Sequence, residues 1–302
     1  MSLLVDMVTS PLMQRALIAA VLVGAVAPVM GTYLVQRRLA LLGDGIGHMA
    51  LTGVALGWLV GGALELTPHD ALAVPGAVVA SIIGAVLIEV VRERGRTSGD
   101  VALALLFYGG IAGGVLLMGI AGGTTANLTG YLFGSIATVT LTDLWLTIAL
   151  AVTIVALGVG LRPALFVLSH DEEFARASGL PVRLLNVVVA VLAALTVSVA
   201  MRIVGVLLVS ALMIVPVATA QLLTRSFRAT MTLATAIGVA VSVSGLTITY
   251  AYPLSPGATI VVLAIGVFGV VSLVRPMIVR RRPAADPHPD VHDDVELVRE
   301  AP

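Results

Sequence analysis

Long apolar runs separated by short polar breaks are the dominant pattern along this chain. The runs cover approximately residues 14–35, 45–64, 71–91, 101–121, 142–161, 184–200, 204–223, 230–250 and 258–275. As helices rising about 1.5 Å per residue, they are long enough to cross roughly 30 Å of hydrocarbon. The stretch 122–141, which includes Leu128-Thr129-Gly130-Tyr131-Leu132-Phe133-Gly134, fits neither a full span nor a plain loop and has room for a short re-entrant piece. The pattern predicts an all-α polytopic membrane protein with about nine transmembrane helices, in a range of about eight to ten.

Composition sharpens this and removes several function classes. Of 302 residues, 59% are apolar and 11% are charged, with a mean hydropathy of +1.08. A soluble domain carries roughly 25% charged residues, so a soluble globular fold is excluded. Basic and acidic residues balance at 17 each, and nothing points to a nucleic-acid partner. Every basic residue is Arg, so there is no P-loop lysine and the chain itself cannot hydrolyse ATP by that mechanism. With 0 Cys it has no disulfide, thiolate ligand or cysteine nucleophile. No His-Glu-x-x-His and no Gly-x-Ser-x-Gly occurs, so neither motif supports an intramembrane hydrolase. Residues 1–10 lack the basic stretch of a removable signal peptide.

The arginines orient the spans, because Lys and Arg accumulate in cytoplasmic loops. Arg37 and Arg38 follow the first run; Arg92, Arg94 and Arg96 the third; Arg162, Arg176 and Arg183 the fifth; Arg225 and Arg228 the seventh. Arg275, Arg280, Arg281, Arg282 and Arg299 close the chain, leaving only Arg15 and Arg202 on the other side. This bias predicts an outside N-terminus and a cytoplasmic C-terminus. Residues 1–275 form the expected membrane domain. Residues 276–302, rich in Pro and Asp, read as a disordered cytoplasmic tail. Its His288 and His292, set among Asp286, Asp290, Asp293 and Asp294, are either part of a solvated tail or a loose metal site.

Candidate chemistry begins at the second run. Asp44 and His48 are four residues apart, so on a helix they project from one face, one turn apart. Counted from Arg38 at the helical rise, His48 falls about 15 Å in, near the bilayer midplane. Ionisable groups at that depth cost roughly 2.5–3.5 kcal/mol unless they face a cavity or a partner. The pair therefore reads as a two-atom metal clamp or part of a permeation path, and oxygen plus nitrogen suits Zn²⁺ or Mn²⁺. The alternatives are a pair hydrogen-bonded to each other, or Asp44 as a helix N-cap. Gly43, Gly45 and Gly47 serve either helix packing or a helix start that unwinds easily, whereas Gly53, Gly57 and Gly61 read as packing positions.

Other polar residues carry less. Glu65, His69 and Asp70 share one outside loop and read as a solvated turn around Pro68, or as a group that attracts a cation; Asp100 reads as the N-cap region of the fourth span. Asn127-Leu128-Thr129 matches a glycosylation sequon without a context that gives it weight. Ser169 to Arg183 predicts one cytoplasmic surface helix, capped by Ser169 and ended by Gly179 and Pro181. Thr224, Arg225, Ser226, Phe227 and Arg228 follow the seventh run, as a short polar helix suited to docking or as an ordinary Arg-bearing loop.

Four stretches together resemble the permease subunit of zinc/manganese uptake ABC transporters, the ABC-3 family. They are Arg37 to Gly57, Ser98 to Gly110, Asp171 to Leu180 and Val204 to Leu223, and the likeness runs to about residue 275. The resemblance implies a fold similar to the vitamin B12 and siderophore importer permeases, minus their first helix. It implies a multi-pass cell-membrane subunit that is no enzyme, paired with a second permease copy or a similar permease. It further implies two cytoplasmic ATP-binding subunits, which hydrolyse ATP, and an extracytoplasmic metal-binding protein. Zn²⁺ or Mn²⁺ would be cargo, with no tightly bound cofactor, moved by alternating access. The resemblance places Asp44 and His48 on the metal path, one pair from each protomer. It likens Thr224 to Arg228 to the coupling helix that sits in the ATPase groove. Two rival readings are a permease for a metal chelate and an ion-gradient-driven secondary transporter. Only 4% aromatic residues weigh against the first, and the lack of a second mid-membrane acid weighs against the second.

Overall fold

The computed structural model describes residues 9–94, 99–135, 140–201 and 204–278. Among the described residues the regular structure is entirely helical. The elements are α1 (Pro11–Gln36), α2 (Leu42–Ala63), α3 (Ala73–Arg94), α4 (Gly99–Ile120), α5 (Thr125–Phe133) and α6 (Leu141–Gly160). They continue with α7 (Arg162–His170), α8 (Glu172–Ala177), α9 (Val182–Ala200), α10 (Val206–Leu223), α11 (Phe227–Ala251) and α12 (Pro256–Ile278). Each of the nine apolar runs appears as a helix. Eight are long and apolar enough to cross a membrane; the seventh run gives the shorter α10, whose apolar stretch is Leu208–Leu223.

α10 is short because the chain bends at Gly205, with φ at +87°, before the helix starts. A Cβ there would stand 2.5 Å from the Gly134 nitrogen and from the Phe133 carbonyl carbon, so only glycine lets the end of α5 approach this closely. The ambiguous stretch 122–141 thus holds a nine-residue helix, α5, begun by Thr124, whose side chain accepts from the Asn127 N–H. α5 packs on α10 and α12.

α1, α2, α9 and α10 form the interior, while α4, α6 and α12 turn much of their surface outward. In lipid, apolar burial gives little drive for helix association, so close van der Waals packing takes over and small residues mark the contacts. α1 meets α11 where a Cβ on Gly24 would lie 2.7 Å from the Gly238 oxygen. α2 meets α3 where Gly53 and Gly76 face each other's carbonyl oxygens. Tyr33, fully buried on α1, donates to the Gly158 carbonyl of α6 at 2.6 Å.

The two ends of the bundle differ. One gathers Trp58 and Tyr131 (3.4 Å), Tyr131 and Asp70 (3.4 Å), and the Ser255 hydroxyl donating to the Phe133 carbonyl (3.1 Å). Asp70 is thereby tied to α5 rather than merely solvated. The other end holds Arg37, Arg92, Arg162, Arg176, Arg225 and Arg228, with α7 and α8.

Here the expected single surface helix divides in two. Ser169 lies inside α7 and bonds back to the Leu165 carbonyl at 2.6 Å; the capping residue is Asp171, which accepts from the Phe174 N–H at 2.8 Å. Asp171 is extended (φ −150°) and breaks the helix that Ser169 continues. Gly179 ends the segment at φ +79°, as expected, and Pro181 precedes α9. At the C-terminus α12 runs through Pro276 to Ile278, three residues beyond the expected boundary. The tail with His288 and His292, and the Asp100 side chain, lie outside the described residues.

Candidate metal-binding pair and the Arg-rich face

Asp44 and His48 stand on consecutive turns of α2, where the sequence spacing puts them. Their place along the helix differs from the count made from Arg38. Residues 37–41 form a turn, with Arg38 at φ 58°, and α2 begins at Leu42. His48 is therefore about 9 Å along a 22-residue helix, roughly a third of its length rather than half.

Both bland readings of the pair fail. The N-cap of α2 is Leu41, and Asp44 sits inside the first turn, where a carboxylate also complements the positive end of the helix dipole. The hydrogen-bond partner of Asp44 is the Ser210 hydroxyl of α10, not the imidazole. His48 is 2% exposed, and its Nδ1 has no hydrogen-bond partner among the described residues. A buried polar atom without a partner is costly, so this nitrogen calls for an explanation that the described residues do not supply.

Two neighbouring helices fix the pair. From α4, Phe107 meets the imidazole edge-on, with ring centroids 4.2 Å apart. α4 reaches that close because of Gly110, where a Cβ would stand 2.6 Å from the His48 carbonyl carbon, and the Thr52 hydroxyl donates to the Gly110 carbonyl at 2.7 Å. From α10, Ser210 and Val206 face Gly43 and Gly47, at 3.6 and 3.3 Å from where a Cβ would be. The three early glycines thus serve packing, and α2 is continuous through them. Asp44 borders an open cleft of about 250 Å³ with Leu41, Leu103, Phe107 and Tyr108. Within the described chain no cluster of three or more His, Asp or Glu side chains is arranged to hold a metal. One copy offers two ligands.

Sequence reasoning missed Ser210 and Phe107 as members of this site. A lone hydroxyl inside the apolar run Val206–Val217 was the available signal for Ser210; an aromatic in an apolar helix gave none for Phe107.

At the Arg-rich end, Thr224 to Arg228 form no separate helix. Thr224, Arg225 and Ser226 are a tight break between α10 and α11, and Phe227 and Arg228 are the first residues of α11. The two flanking hydroxyls explain this. Thr224 closes α10 by donating to the Ala220 carbonyl at 2.8 Å, and Ser226 caps α11 by accepting from the Ala229 N–H at 3.3 Å. Arg225, Ser226 and Arg228 are exposed; Phe227 turns inward against Tyr33 and Phe166, at centroid distances of 5.4 and 5.1 Å. The exposed side chains share a cleft of about 690 Å³ with Gln36, Arg162 and His170. On α8, which follows α7 directly, Phe174 is 59% exposed.

Arg37, at the end of α1, joins this face to the interior. Its guanidinium donates to the Asn186 side-chain oxygen at 2.8 Å and pairs with Glu172 at 3.4 Å. Burial, and after it the charge of Arg92, pulls its pKa below the usual range, against Glu172 and Glu89. Glu89 is itself buried and pairs with Arg92 at 3.1 Å.

Residues 9–275 match the family described as the ABC 3 transport family. The chain belongs to that family. It is the membrane-spanning component of an ABC-type transport system, as the four quoted stretches led us to expect. The manganese transport system membrane protein MntC of Halalkalibacterium halodurans is 32% identical over 264 residues, 87% of each chain. The chelated iron transport system membrane protein YfeD of Yersinia pestis is 32% identical over 273 residues, 90% of this chain and 88% of its own. Among solved structures, PsaBC from Streptococcus pneumoniae in complex with Fab has a TM-score of 0.79 at 31% identity, covering 89% of this chain and 94% of that one. In this ABC 3 family member the helices that position Asp44, His48 and Ser210 all lie within the matched residues.

Proposed function

We propose that this chain is the plasma-membrane permease of an ATP-driven importer of a divalent transition metal ion, Mn²⁺ before Zn²⁺. The observation that carries this is the His48 imidazole, buried with an unpartnered ring nitrogen one turn from the Asp44 carboxylate on a helix otherwise lacking ionisable groups. Oxygen and nitrogen donors without thiolate suit Mn²⁺ and Zn²⁺ and suit a site that must also release its ion. Manganese is placed first because MntC, similar over most of the chain, serves a manganese transport system. Two ligands make half a site, and a second permease copy brings the other pair to the ion.

ATP hydrolysis belongs to a cytoplasmic partner, since this chain contains no lysine for a phosphate loop. The docking face for two such subunits is the exposed part of the break at Thr224 to Arg228 together with α7, which lines the same cleft, and α8, which follows α7 directly. The positive-inside bias puts that face in the cytoplasm and the Trp58–Tyr131–Asp70 end outside, toward a soluble metal-binding protein. The permease domain runs through the end of α12 at Ile278.

Uptake of radiolabelled Mn²⁺ and Zn²⁺ into vesicles carrying this chain and its ATPase tests the reading. His48→Ala and Asp44→Ala should each lower ATP-dependent uptake by at least about tenfold with assembly intact. Wild-type uptake by the double variant would remove the pair from the ion's path. Uptake of a metal chelate but of neither free ion would favour the chelate reading, which the chelated-iron relative keeps in play.

A further inference from the structure

We infer that Ser210 is a positioning residue for the metal-binding pair: its hydroxyl holds the Asp44 carboxylate in the rotamer that presents its second oxygen to the ion. This rests on the reading of Asp44 and His48 given above. Ser210 lies on α10, 166 residues from Asp44 in sequence, is 6% exposed, and donates to Asp44 Oδ1. A serine hydroxyl has one proton to give. A carboxylate has two oxygens, so this bond leaves Oδ2 uncommitted, and Asp44 borders the cleft formed with Leu103 and Phe107.

The arrangement matters because an aspartate side chain is not fixed by its backbone. Its terminal torsion is broad, and on the first turn of a helix it can swing toward the free N–H groups there as readily as toward an ion. The Ser210 bond selects one orientation and leaves one oxygen uncommitted. His48 is held separately, by the edge of Phe107 and by the close seat of α4 at Gly110. Among the described residues, the hydrogen-bond partner that does this for Asp44 comes from α10. The donor's location is set by how α10 sits on α2, across Gly43 and Gly47, so the carboxylate orientation is tied to the seating of those two helices. α10 runs from the metal pair to Thr224, the first residue of the break proposed to face the ATPase. The residue that orients the ligand is thus on a helix whose far end is on the docking face.

The test uses the complete permease–ATPase complex in lipid nanodiscs with Mn²⁺ alone as probe, followed by loss of the free aqua-ion signal in electron paramagnetic resonance. This reads the permease site without contribution from a binding protein. Ser210→Ala should weaken Mn²⁺ binding about tenfold, the loss typical when a group that orients a metal ligand is removed. Ser210→Thr keeps the hydroxyl, and the missing Cβ of Gly43 leaves space opposite for the added methyl. It should restore most of the affinity, which a role confined to helix packing would not predict. Wild-type affinity in Ser210→Ala, or an equal loss in the alanine and threonine variants, would overturn the inference. Asp44→Ala separates the two levels. If it leaves Mn²⁺ binding unchanged, the reading of the pair fails; if it abolishes binding while Ser210→Ala does not weaken it, only the role of Ser210 fails.

Discussion

At the residue scale, adjacent positions that look alike in the sequence are unlike in the fold. Gly109 and Gly110 are neighbours in an apolar helix. A Cβ on Gly109 meets nothing within 4 Å in this chain, whereas one on Gly110 would stand 2.6 Å from the His48 carbonyl carbon. Gly110→Ala must therefore move α4 away from the candidate ligand, at a cost of about 1–3 kcal/mol for overpacking. We expect Gly110→Ala to lose most metal uptake and Gly109→Ala to stay within about twofold of wild type, measured side by side in transport assays. Equal behaviour of the two would mean that the close seat of α4 on His48 does not matter for transport.

At the element scale, α8 is too short to be stable by itself, since isolated helices below about 12 residues are marginal in water. Its six residues are held by the Asp171 cap and by Glu172, which bonds Arg176 at 3.3 Å on the outside and Arg37 on the inside. The Arg37 side chain is only 6% exposed, so its contacts with Asn186 and Glu172 are shielded from water. Arg37→Ala would take a partner from both Asn186 and Glu172. A hydrogen bond to a charged group is worth about 1.5–3 kcal/mol, and a loss of this order is expected in the thermal unfolding of the detergent-solubilised complex. Because α8 flanks the proposed docking face, the same variant should raise ATP hydrolysed per metal ion transported. A wild-type ratio with lowered stability would confine Arg37 to a structural role.

At the scale of the whole molecule, the described helices form one bundle with an Arg-rich end and an end that carries α5. The segment after Val279 adds acidic residues, prolines and few large apolar side chains, so it brings little that could pack against the bundle. A chain truncated after Val279 should fold, assemble with its ATPase and transport metal within about twofold of the full-length protein. Higher uptake by the truncated form at millimolar metal, with equal assembly, would instead assign the His288 and His292 region a restraining role.

What the sequence determined by itself follows from one-dimensional physics. A span must be long and apolar to lie in hydrocarbon, and the nine apolar runs all appear as helices. A period of 3.6 puts Asp44 and His48 on one face without reference to any other element. The family is likewise legible, because its motifs are local strings. What only the tertiary structure decided depends on contacts between distant segments. The break at Gly205 needs the end of α5 against it, and the absence of a separate helix at Thr224 to Arg228 needs two hydroxyls to take backbone partners at once. The replacement of Ser169 by Asp171 as cap turns on the backbone conformation of one residue. The site itself shows the same division. One helix carries both proposed ligands, and spacing put them on one face; Ser210 and Phe107 come from helices far away in sequence, and only folding brings them to Asp44 and His48.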